Sequence, residues 1–376
     1  MDTRRSDMPD ILRLIALFGI VVVNVMFIAF PTTGSPISSG ASTPADATVN
    51  WLVNGLATFK SYGLFSFMFG VGLGFLMRAS QSRDLPFGVV YRNRMLGLAA
   101  LGLMHGCLFF SGDILVIYAV TGSLLYLWRG WSSQRLVRVG VVLLVVQVVI
   151  VCALVAIAPD QATGNADYER LVMSQGSFFD VIAYRTADFA IVLPLFLVLQ
   201  GTAALGWFCL GLAAVQSGAI DDTGKPVWQR ARMWCVAPGV VGSLLAAALW
   251  EWGEPRFGLM LTLAIAPIAT LGYLGLIALV ANQKGAWIAS VKSAGAASLT
   301  VYLGQSIILS TIFSGYGLGL WGAVSRGAAV GIAVGVTVLL MAFVILWQNR
   351  FQRGPFEWLL RRITYWGVSR GTPQKG

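Results

Sequence analysis

The sequence predicts an all-α protein: a polytopic transmembrane helical bundle of about ten spans with both termini cytoplasmic. Three observations carry this. Apolar residues make up 57% of the 376-residue chain, with a mean hydropathy of +0.76, while charged residues supply only 11%. A soluble chain is about half apolar and one quarter charged. The apolar runs are long enough to cross a hydrocarbon core of about 30 Å, which takes roughly 20 helical residues. Backbone groups in lipid must be satisfied within their own segment, so these runs are helices, and the alternating pattern of a membrane barrel is absent.

The spans fall at residues 10–30, 51–77, 94–110, 113–128, 136–158, 188–215, 233–250, 257–281, 298–313 and 327–347. Asp10 and Arg13 open the first run, three apart, as a helix-start ion pair. No small-residue cleavage site follows, so the run reads as a retained span. Residues 31–50 are rich in Pro, Gly, Ser and Thr and carry no Lys or Arg, as expected of an external loop. Gly70, Gly72 and Gly74 suit close helix approach in the second span. The third and fourth spans are joined by little more than FFSGD, which predicts a tight hairpin at the outer face. Residues 159–187 form an acidic external segment, within which SFFDVIAYRT reads as a short interfacial helix. Residues 1–347 are the bundle, and residues 348–376 a basic, aromatic tail on the inner surface. Within that tail Arg353, Glu357 and Arg361 recur at spacing four and are expected to brace it.

The net charge of +10 follows the topology. With a cytoplasmic N-terminus, 21 of the 26 Lys and Arg fall on inside segments. Only Arg170, Arg185, Arg256 and Arg326 fall outside, and Lys60 lies within a span. That is the positive-inside rule, and it makes anionic membrane lipids the partner of the basic charge. Nucleic-acid binding is not expected. The four cysteines, Cys107, Cys152, Cys209 and Cys235, show no metal spacing and read as small buried apolar residues, so no metal site is expected.

The chemistry is expected around the one histidine, His105, within GLMHGCLFFSGDIL. Histidine exchanges protons near neutral pH, and an ionisable group at membrane depth needs a partner or a task. Asp113 follows eight residues later, and the Ser111-Gly112 turn can return it to the ring. His105 then reads either as a general base oriented by Asp113 or as a structural lock, with Asp113 capping the fourth span. Other polar groups lie at similar depth in the outer half. Asn24 is about 20 Å from the inner end of its span, Lys60 about 13 Å from the outer end of its own, and Asp188 starts the sixth. Asn54, Thr58 and Tyr62 share one helical face beside Lys60. Lys60 is too deep to snorkel and is expected to pair with Asp113, Asp188 or an anionic substrate. Gln305 reads as a ligand contact or as polar glue between helices.

Several segments together resemble the YeiB family of bacterial membrane proteins, a domain family of unknown function. These are PDILRLIALFGIVVVNV, LFSFMFGVGLGF, LGLMHGCLFFSGDILVIYAVTG, SLTVYLGQSII and the closing RGPFEWLLRRITY. One departure is Arg13-Leu14, where the family pattern has Arg-Gly. The resemblance implies a multi-pass protein of the bacterial inner membrane. It also implies a looser similarity to membrane acyltransferases that move acetyl groups from cytoplasmic acetyl-CoA to external sugars. Those enzymes place a histidine just after the first span, where this chain has none, so that role does not transfer by position.

The expected function is therefore acyl transfer from a cytoplasmic acyl-CoA to a glycan or lipid-linked acceptor at the outer side. His105 and Asp113 would be catalytic. Lys60 and Asn24 would stabilise the developing oxyanion, with Tyr62, Asp188 and Gln305 contacting substrate. Arg92, Arg94 and Arg13 would hold the phosphates of the donor, a co-substrate rather than a tightly bound cofactor. The alternatives are a small-solute transporter or exporter using His105, Asp113 and Lys60 as a proton relay, and a non-catalytic lipid-binding or scaffolding protein.

Overall fold

The computed structural model describes residues 7–31, 41–158, 165–281 and 295–368. Arg4, Arg5, Lys284, Lys292, Asp160, much of the 31–50 loop and the last residues of the tail lie outside these. The described residues form an all-helical membrane bundle with no strand. In order the helices are α1 (Met8–Ala29), α2 (Pro44–Leu56), α3 (Lys60–Gln81), α4 (Phe87–Leu108), α5 (Leu115–Leu127), α6 (Ser133–Ile157) and α7 (Ala166–Gln175). They continue with α8 (Phe178–Gln216), α9 (Pro226–Trp252), α10 (Pro255–Ala281), α11 (Ser298–Phe313), α12 (Arg326–Gln348) and α13 (Pro355–Thr364). Among the described residues, seven stretches are long and apolar enough to cross a membrane: α1, α2 with α3, α6, α8, α9, α10 and α12. Helices α5 and α11 are apolar but shorter.

Two expected elements differ. The predicted span 51–77 is two helices, because Phe59 takes a left-handed backbone conformation (φ 64°) that breaks the run. A side chain resists that region through its Cβ. The break leaves Asn54 C=O near the open end of α2, and the Lys60 ammonium donates to it at 2.8 Å. A cation at a helix C-terminus meets both the free carbonyl and the negative end of the dipole. The second difference concerns SFFDVIAYRT, which is no separate interfacial helix. It forms the first turns of the 39-residue α8, started by a capping box between Ser177 and Asp180. The short helix of the acidic segment is instead α7, whose Asn165 side chain accepts from Tyr168 N–H.

Packing centres on α8, which lies against α3 and α6. Gly70 of α3 and Gly211 of α8 sit where the two backbones touch: a Cβ on Gly70 would strike the Phe208 carbonyl, and one on Gly211 the Phe67 carbonyl. Lipid offers no hydrophobic drive for helices to associate, so such close approach supplies the dispersion contact that does. Buried aromatics, among them Tyr118, Tyr302 and Phe208, fill the space where α3, α5, α8 and α11 meet.

At one end of the bundle the start of α1, the first half of α4 and α13 come together. Asn93 donates to Trp366 C=O at 2.9 Å, and Arg94 lies within electrostatic reach of Arg13, Glu357 and Tyr365. We call this the basic end. Helix α13 is amphipathic, burying Leu360 and exposing Trp358 and Arg362. Glu357 does not brace Arg353 and Arg361 as its spacing suggested, since α13 starts only at Pro355. It turns into the bundle and caps α11, accepting from Leu299 N–H (2.6 Å), Thr300 N–H (3.0 Å) and the Thr300 hydroxyl (2.5 Å). Burial pushes its carboxyl above the usual range. Glu357→Ala leaves two helix N–H groups without their acceptor, so it should cost about 1–3 kcal/mol. A lowered thermal midpoint in detergent checks this, and an unchanged midpoint would show that the cap is dispensable.

Candidate functional site

The end opposite the basic one carries the histidine. Helices α4 and α5 form the expected hairpin, closed by Phe109 and Phe110 N–H groups on the His105 carbonyl (2.9 and 3.0 Å). Gly102 permits it, because a Cβ there would run into the Asp113 carboxylate and the Val116 nitrogen. Across the turn, His105 Nδ1 meets Asp113 Oδ2 at 2.7 Å, with both residues 1% exposed. The other carboxylate oxygen, Oδ1, accepts from Leu115 N–H (2.8 Å) and Val116 N–H (3.2 Å). Asp113 thus divides its two oxygens, one capping α5 and the other bonding the ring.

This arrangement has a chemical consequence. An ionised carboxylate only accepts hydrogen bonds, so Asp113 in that form holds a proton on Nδ1, and a neutral ring so held presents the Nε2 lone pair. Nε2 is buried and has no hydrogen-bond partner among the described residues. The Tyr302 ring lies 5.3 Å from the imidazole, centroid to centroid. Its hydroxyl sits beside Asp113 and the Ile114 backbone without reaching hydrogen-bond geometry to either, and is likewise buried and unpartnered. Aromatic contacts continue from Tyr302 through Phe65 to Tyr118 and Tyr62, at 6.0–6.1 Å steps. The Tyr118 hydroxyl is satisfied by Ser66 Oγ at 2.7 Å. His105 Nε2 and the Tyr302 hydroxyl are therefore two buried polar atoms without a partner among the described residues, within one cluster.

The remaining expected residues divide. Tyr62 joins the cluster through its ring, but its hydroxyl donates to Gln200 C=O at 2.8 Å, and the break at Phe59 removes it from the face of Asn54 and Thr58. Asn54 and Thr58 do bond one another, at 2.9 Å. Lys60, 0% exposed, pairs with neither Asp113 nor Asp188, because the α2 carbonyl takes its ammonium. Gln305 donates to Thr337 Oγ1 at 2.8 Å and so acts as glue between α11 and α12. Asn24 is half-buried on α1 and makes no hydrogen bond among the described residues. Asp188 does not begin a span but lies along α8, in a small outer recess with Arg185, Glu169 and Tyr184.

Arg185 escaped the sequence reading, which assigned it only to a loop. It is 4% exposed and donates to Leu108 C=O (3.2 Å), Ser310 Oγ (2.7 Å) and Ser314 Oγ (2.9 Å). It thereby ties α8 and α11 to the end of the helix that carries His105. The usable signal was Val181, Arg185 and Phe189 at spacing four, one buried helical face. Tyr302 was likewise missed, although Tyr302, Gln305 and Ser306 form a polar stripe within an apolar span.

The three arginines expected to hold one phosphate group do not share a site. Arg13 bonds Asp10 at 2.6 Å, the helix-start pair the spacing suggested. Arg94 turns inward within electrostatic reach of Arg13, and no hydrogen bond or ion pair engages it among the described residues. Arg92, two residues earlier, is exposed on the other side of α4. Arg94 and His105 are eleven residues apart on one helix, about 16 Å along the axis and about 20° apart around it. They therefore face the same interior.

Residues 214–367 match a family described as "Protein of unknown function (DUF418)". That stretch includes Tyr302 and Glu357 but neither His105 nor Asp113. The chain is 29% identical to the uncharacterized protein YeiB of Escherichia coli, over 94% of this chain and 95% of that protein. It is 27% identical to the uncharacterized protein YxaH of Bacillus subtilis, over 97% and 95%. An uncharacterized 39.9 kDa protein of Bacillus acidopullulyticus is 22% identical over 95% and 92%. No solved structure matches the chain.

Proposed function

The chain belongs to the YeiB-like family, and from that premise we propose that it is a membrane acyltransferase with His105 as general base. It sits in the bacterial inner membrane, crosses it about ten times and keeps its basic end and both termini cytoplasmic, as its charge distribution favours. The observation that carries the reading is the buried His105–Asp113 pair with Nε2 unpartnered. An acyl-CoA donor places its phosphates near Arg94 and Arg13. The face of α4 that bears Leu98 and Leu101 leads from there to His105, a separation the extended pantetheine arm spans. Nε2 takes the proton from an acceptor hydroxyl whose oxygen attacks the thioester carbonyl. The C–S bond breaks, and the departing thiolate receives that proton from the imidazolium, which Asp113 stabilises meanwhile. Tyr302 donates to the developing oxyanion, a role Lys60 fills poorly with its ammonium engaged at Asn54.

The test is release of CoA thiol from acetyl-CoA or palmitoyl-CoA by the protein in proteoliposomes supplied with cell-derived glycans and lipids. His105→Ala should lower the rate by about 10²–10⁴-fold, the usual worth of a positioned general base. Full activity in that variant would overturn the mechanism. The near-complete enclosure of the pair favours one second reading, a proton-coupled transporter of a small solute closed to both faces. Proteoliposome flux lost in His105→Ala, without thiol release by either protein, would select it.

A further inference from the structure

Helices α4 and α5 enclose, on the side facing away from the bundle, a groove of about 490 Å³ that none of the chemistry above uses. Its floor is Tyr91, Met95 and Ala119, each at most 5% exposed, and its rims are Leu96 and Val120, 61% and 46% exposed. Along α4 the groove runs from Gly88 to Ala99, about 16 Å. From Arg92 to Ala99 it runs about 10 Å, within the depth of one leaflet of a hydrocarbon core about 30 Å thick. Its polarity is graded. At the basic end stand Arg92 and Tyr126, with the Arg129 guanidinium 4.0 Å above the Tyr126 ring, whereas the far end is Ala99 and Ala119. Arg92 is exposed and has no hydrogen bond or ion pair among the described residues, although other charges at this end, such as Arg13 and Glu357, are engaged.

We propose that this groove is a binding site for one anionic phospholipid of the adjoining leaflet. One acyl chain lies between Leu96 and Val120, and the phosphate and anionic headgroup rest on Arg92. Three features select this occupant: the groove is rimmed by exposed apolar side chains, its length beyond Arg92 fits within a single leaflet, and its one charged lining residue is an unengaged cation. The inference is independent of the acyl-transfer reading, since Arg94 faces the interior and Arg92 the lipid.

The experiment is native mass spectrometry of the purified full chain with dioleoyl-phosphatidylglycerol and, separately, dioleoyl-phosphatidylcholine. The wild type should retain the anionic lipid preferentially. Arg92→Gln should weaken that binding about five-fold, the worth of one arginine at an anionic surface, and leave phosphatidylcholine unchanged. Arg138→Gln, which removes an exposed arginine from α6, should change neither. Val120→Trp, filling the groove at its rim, should weaken both lipids, and Leu96→Trp on the opposite rim gives the same reading should the first variant not fold. Equal retention of both lipids by the wild type would overturn the proposal. So would an equal loss in Arg138→Gln, which would mark attraction to the basic end as a whole. Palmitoyl-CoA displacing phosphatidylglycerol through Arg92 would overturn it in favour of a donor site.

Discussion

Asp113→Asn is expected to lower the proposed acyl transfer by about four orders of magnitude while the protein still folds. Asn keeps an oxygen for the Leu115 and Val116 N–H groups, so the cap on α5 survives. Toward the ring it presents an amide N–H in place of a carboxylate oxygen. Nδ1 must then accept, the ring proton moves to Nε2, and the lone pair that would take the acceptor's proton is gone. The corresponding change in a serine-protease triad costs about 10⁴ for the same reason. Asp113→Ala removes the cap as well and strands Nδ1 in a buried site, so it should also lower the thermal midpoint. A purely structural pair predicts a different ranking: Asn close to wild type by every measure and only Ala defective. Thiol release and thermal unfolding of the two variants side by side separate these outcomes.

The second large effect is expected at Gly70, and its contrast with Gly72 is the informative part. Gly70→Ala places a Cβ against the Phe208 carbonyl, a backbone atom that no rotamer change moves aside. Overpacking of this kind costs about 1–3 kcal/mol or more, and the demand on the α3–α8 contact puts Gly70→Leu at or beyond the upper figure. Gly72→Ala meets nothing within 4 Å and should gain up to about 1 kcal/mol from helix propensity. The yield of monodisperse protein and its thermal midpoint should therefore fall for one variant and hold or rise for the other. Equal behaviour of the two would show that α3 and α8 do not meet as described.

Much of the architecture was legible because lipid imposes a simple rule. Apolar runs of spanning length must be helices, and most of the helices fall close to the predicted spans, with the α4–α5 hairpin turning at the predicted place. The His105–Asp113 pairing was legible too, since a turn of so few residues leaves Asp113 nowhere distant to go. Lys60 was misread because hydropathy does not register a backbone break. Uninterrupted helix from 51 to 77 would have left its ammonium seeking an acid, whereas the turn at Phe59 supplies a carbonyl six residues earlier. Glu357 was misread because spacing within a helix has meaning only once the start of the helix is known.

The sequence by itself determined the fold class, the position of most of its apolar helices, and the pairing of its one histidine with Asp113. These follow from composition and from contacts a few residues apart, which the solvent and the chain's own connectivity enforce. Only the tertiary structure decided what surrounds that pair, Tyr302 from α11 and Arg185 from α8, and that Arg94 turns inward while Arg92 is exposed. It also separated Gly70 from Gly72. Residues two apart on a helix point about 160–200° apart, so which one meets a neighbour depends on the rotation of packed helices about their axes. In lipid that rotation is set by side-chain fit rather than by hydrophobicity, and a single sequence does not encode fit in any pattern that can be read along the chain.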